Sequence, residues 1–535
     1  MKTVFYNGKV YTGSEVLGEA FLVEDGKFAM VGANDAVRAA AGDAEAVDLQ
    51  GRFVCPGFND SHMHIVSYGT ALNTALLADH TESLRDMLEC VKAFAAENPP
   101  APGDWIRGRG WNHDYFTDVH RMPNRYDLDE ISTDYPILLT RCCGHVLTVN
   151  SKALELLGIT AESVSPVGGE IGMENGEPDG RLYDAAMELA YDACPAPDKD
   201  MLKRMIRLSL KMLNECGITS VHSDDYSSFS HLPWQTVKAA FEELEADGEL
   251  TVRVYEQSNF TDIAEYKEFL AAGNNTGVGS DLFRTGPLKI VEDGSLGART
   301  AYMSRPYADD PNAIGFPIVP KAEFEELVDC ANAAGMQVAV HAIGDKCLDY
   351  VLDAVDKALQ KNPRADHRHG VVHCQISRGD QLERIAKLGM HVYAQAIFID
   401  YDAHIVEDRV GKELAATSYA WKTLLGKGVS VSNGTDCPVE TPYPLKGIQC
   451  AVTRTPLKED IPAYLPEEAF TVKEALDIYT IGGAYASFEE DKKGLIKAGY
   501  LADFAVLDQD VFSVPVNAIK DIKVLATYLG GKKVF

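Results

Sequence analysis

The chain has 535 residues, 46% of them apolar and 24% charged, a globular composition long enough for several domains or for one large barrel with additions. With 50 Lys and Arg against 80 Asp and Glu its formal charge is −30, a field that repels phosphate backbones and anionic lipids and argues against nucleic-acid or membrane partners. No apolar run is long enough to cross a bilayer, the start MKTVFYNGKVYTG lacks a signal peptide's apolar core, and 11 cysteines without a CxxC pair read as buried reduced thiols, so a cytoplasmic protein is expected.

Residues 1–54 read as short strands joined by turns, with hairpin signals at Asn7-Gly8 and Asp25-Gly26. The run RFVCPGF then leads as a strand into His62 and His64. On a strand, residues two apart point the same way, so these imidazoles could grip one metal ion; two surface histidines in a turn is the other reading. Residues 70–195 are far too many for one connection and carry Pro/Gly clusters (NPPAPGDW, CPAPDK) with helices and a strand of their own. They are expected to form an inserted α/β subdomain on the active face, either contributing substrate contacts or a lid, or serving as a structural embellishment. MLKRMIRLSLKMLNECG, 201–217, is an amphipathic helix stopping at Gly217. ITSVHSDD, TVRVYEQSN, GPLKIVEDG, MQVAVHAIG, HGVVHCQ, MHVYAQAIF and VSVSNGTD follow as short apolar runs, several separated by helical patterns such as KAEFEELVDCANAAG and GDQLERIAKLG. With the strand before His62 they number eight, which predicts an α/β fold, a (β/α)8 TIM-like barrel. The C-terminal LADFAVLD and VLATYLGGKKVF are again β-rich, with a turn at Gly530-Gly531. The expected organisation is a β-sandwich from 1–54 with 495–535, a barrel from 55–69 and 196–494, and the insertion 70–195.

The candidate ligands fall at strand ends. His62 and His64 close the first strand, Lys289 lies in the fourth, His341 and His373 close the fifth and sixth, and Asp436 follows the eighth. Barrel active sites lie at the C-terminal strand ends, so these groups can converge. Singly each has a bland reading: a hydrogen-bonded core histidine, a turn aspartate, a lysine paired with Glu292 or Asp293. Jointly, four imidazoles and a carboxylate suit Zn²⁺ or a similar divalent metal, which activates water and polarises a carbonyl. Asp436 can bind the metal, take the water's proton and pass it to a leaving nitrogen.

PGFNDSHMH, KIVEDGSLGART, VHAIGD, VVHCQ and SNGTDCPVE together resemble the amidohydrolase superfamily. More narrowly they resemble the YtcJ-like metal-dependent hydrolases, whose relatives include an N-substituted formamide deformylase. GRGWNHDYF, LLTRCCGHVLTVNSKAL and GRLYDAAM extend the resemblance through the insertion. It implies a metallo-barrel flanked by a β-sandwich from both termini. In two-metal members the His-x-His pair holds one ion and the strand-five and strand-six histidines the other. A lysine carboxylated by CO₂ bridges them, and the strand-eight Asp completes the set. Carried over, the metal ligands are His62, His64, Lys289, His341, His373 and Asp436, with one or two metals per chain. Carboxylation needs a neutral amine, which burial favours; the alternative is a mononuclear site with an unmodified Lys289. The chain departs from its relatives at Val372, where an acid often precedes the strand-six His, and at Cys143, Gly144 and His145, where Asp-Gly-His is usual.

Trp111, His113 and His145 could line the pocket, Arg299 could fork onto a substrate carboxylate, and His222 could support the ligands; each also has a structural reading. The expected activity is hydrolysis of an amide, N-acyl or N-formyl C–N bond other than a peptide bond, with Asp436 catalytic. A deaminase or ester hydrolase on the same site, or a non-catalytic scaffold, are the alternatives. A small-molecule substrate is expected, and a homodimer is left open.

Overall fold

The computed structural model describes residues 2–14, 16–101, 103–142, 145–166, 168–194, 196–229, 232–459 and 461–535. They form two compact units, Met1–Tyr68 with Ser209–Phe535, and Gly69–Leu208.

The first unit is built round eight parallel strands. These are β1 (Phe58–Met63), β2 (Ile218–Ser223), β3 (Arg253–Asn259), β4 (Phe283–Val291), β5 (Val338–Ala342), β6 (Gly370–His373), β7 (His391–Ala394) and β8 (Val431–Asn433), hydrogen-bonded in sequence order. Nearly every residue in them is buried. Parallel strands covered on both faces read as continuous apolar runs, which is why alternation was absent. Helices Trp234–Ala246, Ile263–Ala271, Lys321–Ala333, Asp345–Lys361 and Gly379–Leu388 follow β2 to β6 in turn and return the chain for the next parallel strand. The barrel is nearly closed. No ladder joins β1 to β8 among the described residues, but the Asp436 N–H donates to His62 O and the His64 N–H to Cys437 O, both at 2.8 Å. Gly434 sits at this seam, where a Cβ would lie 2.5 Å from His62 N, so the close approach requires glycine.

Two further sheets carry both chain ends. One pairs Lys27–Gly32, Ala20–Glu24, Lys2–Tyr6 and Glu45–Asp48; the other pairs Lys9–Val10, Phe53–Pro56, Phe504–Leu507, Val524–Leu529 and Lys532–Lys533. Their shared core holds Phe5, Phe21, Phe28, Phe504 and, at its edge, Tyr528. Phe5 stacks on Phe21 at 4.9 Å and Phe504 on Tyr528 at 4.4 Å. Each fully buried phenylalanine contributes roughly 1.5–3 kcal/mol. The hairpins at Asp25-Gly26 and Gly530-Gly531 form, with positive φ at all four residues. The expected hairpin at Asn7-Gly8 does not. Asn7 turns at φ 58°, but the strands on either side join different sheets, because Lys9–Val10 pairs with Phe53–Pro56. RFVCPGF likewise divides: Phe53–Pro56 belongs to a flanking sheet and β1 starts at Phe58. The helix expected over 201–217 spans Lys199–Glu215 and ends before Gly217, at φ 80°.

The second unit is a six-stranded sheet of Gly169–Glu174, Glu177–Asp184, Val146–Val149, Ile137–Arg141, Ile106–Trp111 and Ala75–Leu76. Helix Leu84–Glu97, capped by the Ser83 hydroxyl, buries Leu84, Met87, Leu88 and Val91 in the same core as Trp111.

Candidate metal centre

His62 lies in β1 and His64 follows it directly. His62 is 1% exposed; its Nδ1 faces Gln257 Oε1 at 2.9 Å and its Nε2 lies 3.4 Å from Asp436 Oδ1. His64 Nδ1 donates to Asp224 O at 3.0 Å, and its Nε2 meets the same Asp436 Oδ1 at 3.0 Å. One carboxylate oxygen therefore collects both imidazoles of the His-x-His pair. His373 ends β6 with both ring nitrogens buried and without a hydrogen-bond partner. Its ring centroid is 5.5 Å from that of His62 and 4.4 Å from that of His341. Ligand atoms of His62, His373 and Asp436 all lie within 4.8 Å of one another. His341 Nε2 faces Gly294 O at 3.1 Å and Asp293 Oδ1 at 3.4 Å. Lys289, 1% exposed, donates to Asp224 Oδ2 at 3.2 Å. Its partner is thus neither Glu292 nor Asp293. Asp293 is committed to the backbone N–H groups of Tyr302, Ile343 and Gly344.

Burial, reinforced by the charge of Lys289, pushes His62 well below the usual imidazole range. Burial and the neighbouring His341 do the same to His373. Neutral imidazoles are what a cation needs as ligands. At His64 burial acts downward, but the hydrogen bond and charge of Asp436 and the charge of Asp224 outweigh it and raise the group to about 9. A dication held by these atoms would replace that shared proton as the counter-charge to Asp436. Asp60, buried below the site, is raised to about 7 by desolvation even though Thr435 and the His62 N–H hydrogen-bond it. The backbone is strained here: His373, Cys374 and Asp436 take φ of 75°, 47° and 58°. Such conformations cost about 1–3 kcal/mol each and persist where the surroundings over-determine them. Trp421 Nε1–H on His373 O, at 2.9 Å, is one such restraint.

The remaining sequence candidates are placed as follows. Trp111 is fully buried in the second unit's core with its indole N–H on Leu139 O at 2.8 Å, a packing position. His113 lies 3.5 Å from Asp114, and burial lowers its pKa. His145 is exposed beside Asp184 at 3.0 Å. Arg299 is already forked onto Asp309, at 3.0 and 2.8 Å. His222 is buried between Tyr255 and Tyr393 with Nε2 on Gly483 O at 3.1 Å. Val372 packs with Ala339, Tyr393 and Ala486. Cys143 and Gly144 lie outside the described residues. Asp60, Asp224 and Gln257 are not singled out by the sequence reading, and Asp293 only as a partner for Lys289. Each stands near the end of a predicted strand, in FNDSH, VHSDD, VYEQS and VEDG, and that position was the available signal.

The donor set fits a divalent cation: the buried imidazoles of His62 and His373, both held well below the usual range, converge with the Asp436 carboxylate, and both nitrogens of His373 are unpartnered. A (β/α)8 barrel with such a set at its C-terminal strand ends is the architecture of a metal-dependent hydrolase. Residues 45–535 match the Amidohydrolase family, and the chain belongs to it. It is 33% identical to YtcJ of Bacillus subtilis (strain 168), named as a candidate amidohydrolase, over 100% of this chain and 99% of that protein. It is 29% identical to an N-substituted formamide deformylase of Arthrobacter pascens, over 96% of this chain and 94% of that one. A crystal structure of an uncharacterized metal-dependent hydrolase from Pyrococcus furiosus superposes with a TM-score of 0.78 at 29% identity, covering 96% of this chain and 100% of that one.

Proposed function

We propose that the chain hydrolyses a carbon–nitrogen bond other than a peptide bond, in an amide, N-acyl or N-formyl small molecule. The observation that carries this is the convergence of His62, His373 and Asp436 ligand atoms within 4.8 Å, with His64 on the same Asp436 oxygen. The similarity to a formamide deformylase supports the choice of bond. His62, His64, His341, His373 and Asp436 would hold the ion, and a nitrogen-rich donor set of this kind suits zinc. When bound, the ion supplies Lewis acidity, making water more acidic and polarising a carbonyl oxygen. Asp436 takes up the water's proton on its carboxylate and delivers it to the departing nitrogen. Gln257 and the Asp224 carbonyl hold the Nδ1 atoms of His62 and His64, which leaves each Nε2 aimed inward.

Lys289 carboxylated by CO₂, bridging a second ion, extends the same reading; the one-ion site with a free lysine is its competitor. Metal analysis of the intact protein and of one variant separates them: Lys289→Ala loses one ion and most activity on the two-ion reading and keeps its ion on the other. The enzyme is proposed to work in the cytoplasm on a soluble substrate. Among the described residues no helix is long and apolar enough to cross a membrane. A screen of zinc-loaded protein against N-formyl amines, N-acyl amines, esters and amino-heterocycles tests the activity. Release of amine from the first two classes is expected, and turnover of esters or heterocycles alone overturns the proposal.

A further inference from the structure

The proposed ligands come from β1, β4, β5, β6 and the segment after β8, and none from β2, β3 or β7. Asp224, the first residue after β2, is 3% exposed, and its carboxylate carries no role in the proposed function. Its N–H donates to Met63 O at 3.0 Å, and its carbonyl accepts from His64 Nδ1 at 3.0 Å. The backbone of one residue therefore grips the end of β1 and orients its second histidine. Its side chain reaches the other way: Oδ2 accepts from Lys289 Nζ at 3.2 Å and from Asn259 Nδ2 at 3.1 Å. Oδ1 is buried with no partner. A buried acceptor left without a partner is costly.

We infer that Asp224 is a positioning residue for two ligands on different strands. Its carbonyl turns His64 so that Nε2 faces Asp436, and its carboxylate aims Lys289 Nζ while Asn259 steadies that carboxylate. Asp224 is not itself a ligand, yet metal affinity depends on it. The inference rests on the two-ion form of the proposed metal centre, in which Lys289 is a ligand, and not on the bond that is cleaved.

The test is a zinc titration of the chelator-stripped full chain, followed by calorimetry against a competing chelator. Asp224→Ala removes the carboxylate and keeps the carbonyl on His64, so it tests the contact to Lys289. It is expected to bind zinc about 10–100-fold more weakly, the range seen when partners of metal ligands are removed, and to melt lower because Lys289 is left buried without its counter-charge, so affinity is read well below that melting point. Asp224→Asn keeps a carbonyl oxygen for the Lys289 N–H and is expected to recover most of the loss. Wild-type affinity in Asp224→Ala overturns the inference, and so does an Asp224→Asn variant as weak as Asp224→Ala. If Asp224→Ala fails to fold, Asn259→Ala carries the test: weaker zinc binding supports the inference and unchanged binding defeats it. Absence of amide turnover would sink the proposed activity and leave this titration intact, so the two fail separately.

Discussion

At the scale of the residue, the partners its nitrogens already have separate His373 from a structural histidine, while His62 and His64 turn Nε2 to Asp436, itself a proposed ligand. The chain holds a second His-x-His, at His367 and His369. There His369 Nδ1 accepts the Val338 N–H at 3.1 Å and Nε2 faces Asn332 Oδ1 at 3.0 Å. His367 Nδ1 accepts the His369 N–H at 2.9 Å, and its Nε2 donates to Leu388 O at 2.8 Å. Every nitrogen of that pair is spent, whereas both of His373 are unpartnered. His373→Ala is therefore expected to weaken zinc binding with little loss of stability. His369→Ala should leave zinc binding alone and lose about 1–3 kcal/mol, because it orphans buried polar groups. Calorimetry and urea melts on the two variants would expose a reversed pattern. Asp436→Asn keeps shape and hydrogen bonding but cannot take a proton; turnover should fall roughly 10²- to 10⁴-fold while the fold and at least one ion survive. Full activity in that variant, at any pH, removes Asp436 as the base.

At the scale of the element, the site depends on how strand ends are held. β1 and β8 meet through the paired N–H bonds of His64 and Asp436, each at 2.8 Å, and Gly434 permits the approach. Gly434→Ala should force the seam apart, costing about 1–3 kcal/mol as overpacking does and loosening zinc. A variant with unchanged melting and zinc affinity would show that the seam can yield. At the opposite end, Arg253 at the start of β3 forks onto Asp503 at 2.7 and 3.0 Å, with both side chains under a tenth exposed. Asp503→Ala strands a buried guanidinium and should lose about 3–5 kcal/mol, measurable as a shift in the urea midpoint.

For the whole molecule, buried histidines draw stability down in acid. Burial pushes His222 and His391 down to about 3 from an ordinary 6.5; Lys493 reinforces it at the first and Arg368 at the second. Above about pH 6.5 both are neutral folded and unfolded, and stability is full. As pH falls below that, the unfolded chain takes up protons that the folded chain refuses, so stability drains away down to about pH 3. At pH 5 each group accounts for about 2 kcal/mol, at 1.36 kcal/mol per pH unit. Asp60, raised to about 7, works the other way over the same window, so the histidine contribution is read by difference. The urea midpoint of His391→Asn should fall less between pH 7 and pH 5 than that of the unsubstituted chain, and an identical pH profile in the two would contradict this. The −30 charge works the other way, since it shrinks as pH falls and self-repulsion shrinks with it.

Local pattern by itself determined the eight strands, the intervening helices, the strand-end positions of His62, His64, His341, His373 and Asp436, and the place of Lys289 within the fourth strand. These signals are periodicity, apolar runs and turn residues, all short-range properties. Two hairpins were legible because Asp-Gly and Gly-Gly favour positive φ. The Asn7-Gly8 turn misled because pairing partners are chosen by strands far off in the chain. Only the tertiary structure decided who faces whom: that Lys289 meets Asp224 and not its neighbours in sequence, that Arg299 is already spent on Asp309, that Trp111 is core, and that His373 keeps two idle nitrogens while His369 has none. Hydrogen-bond satisfaction is a property of the space around a group. That space is assembled from strands hundreds of residues apart, so no local window of sequence contains it.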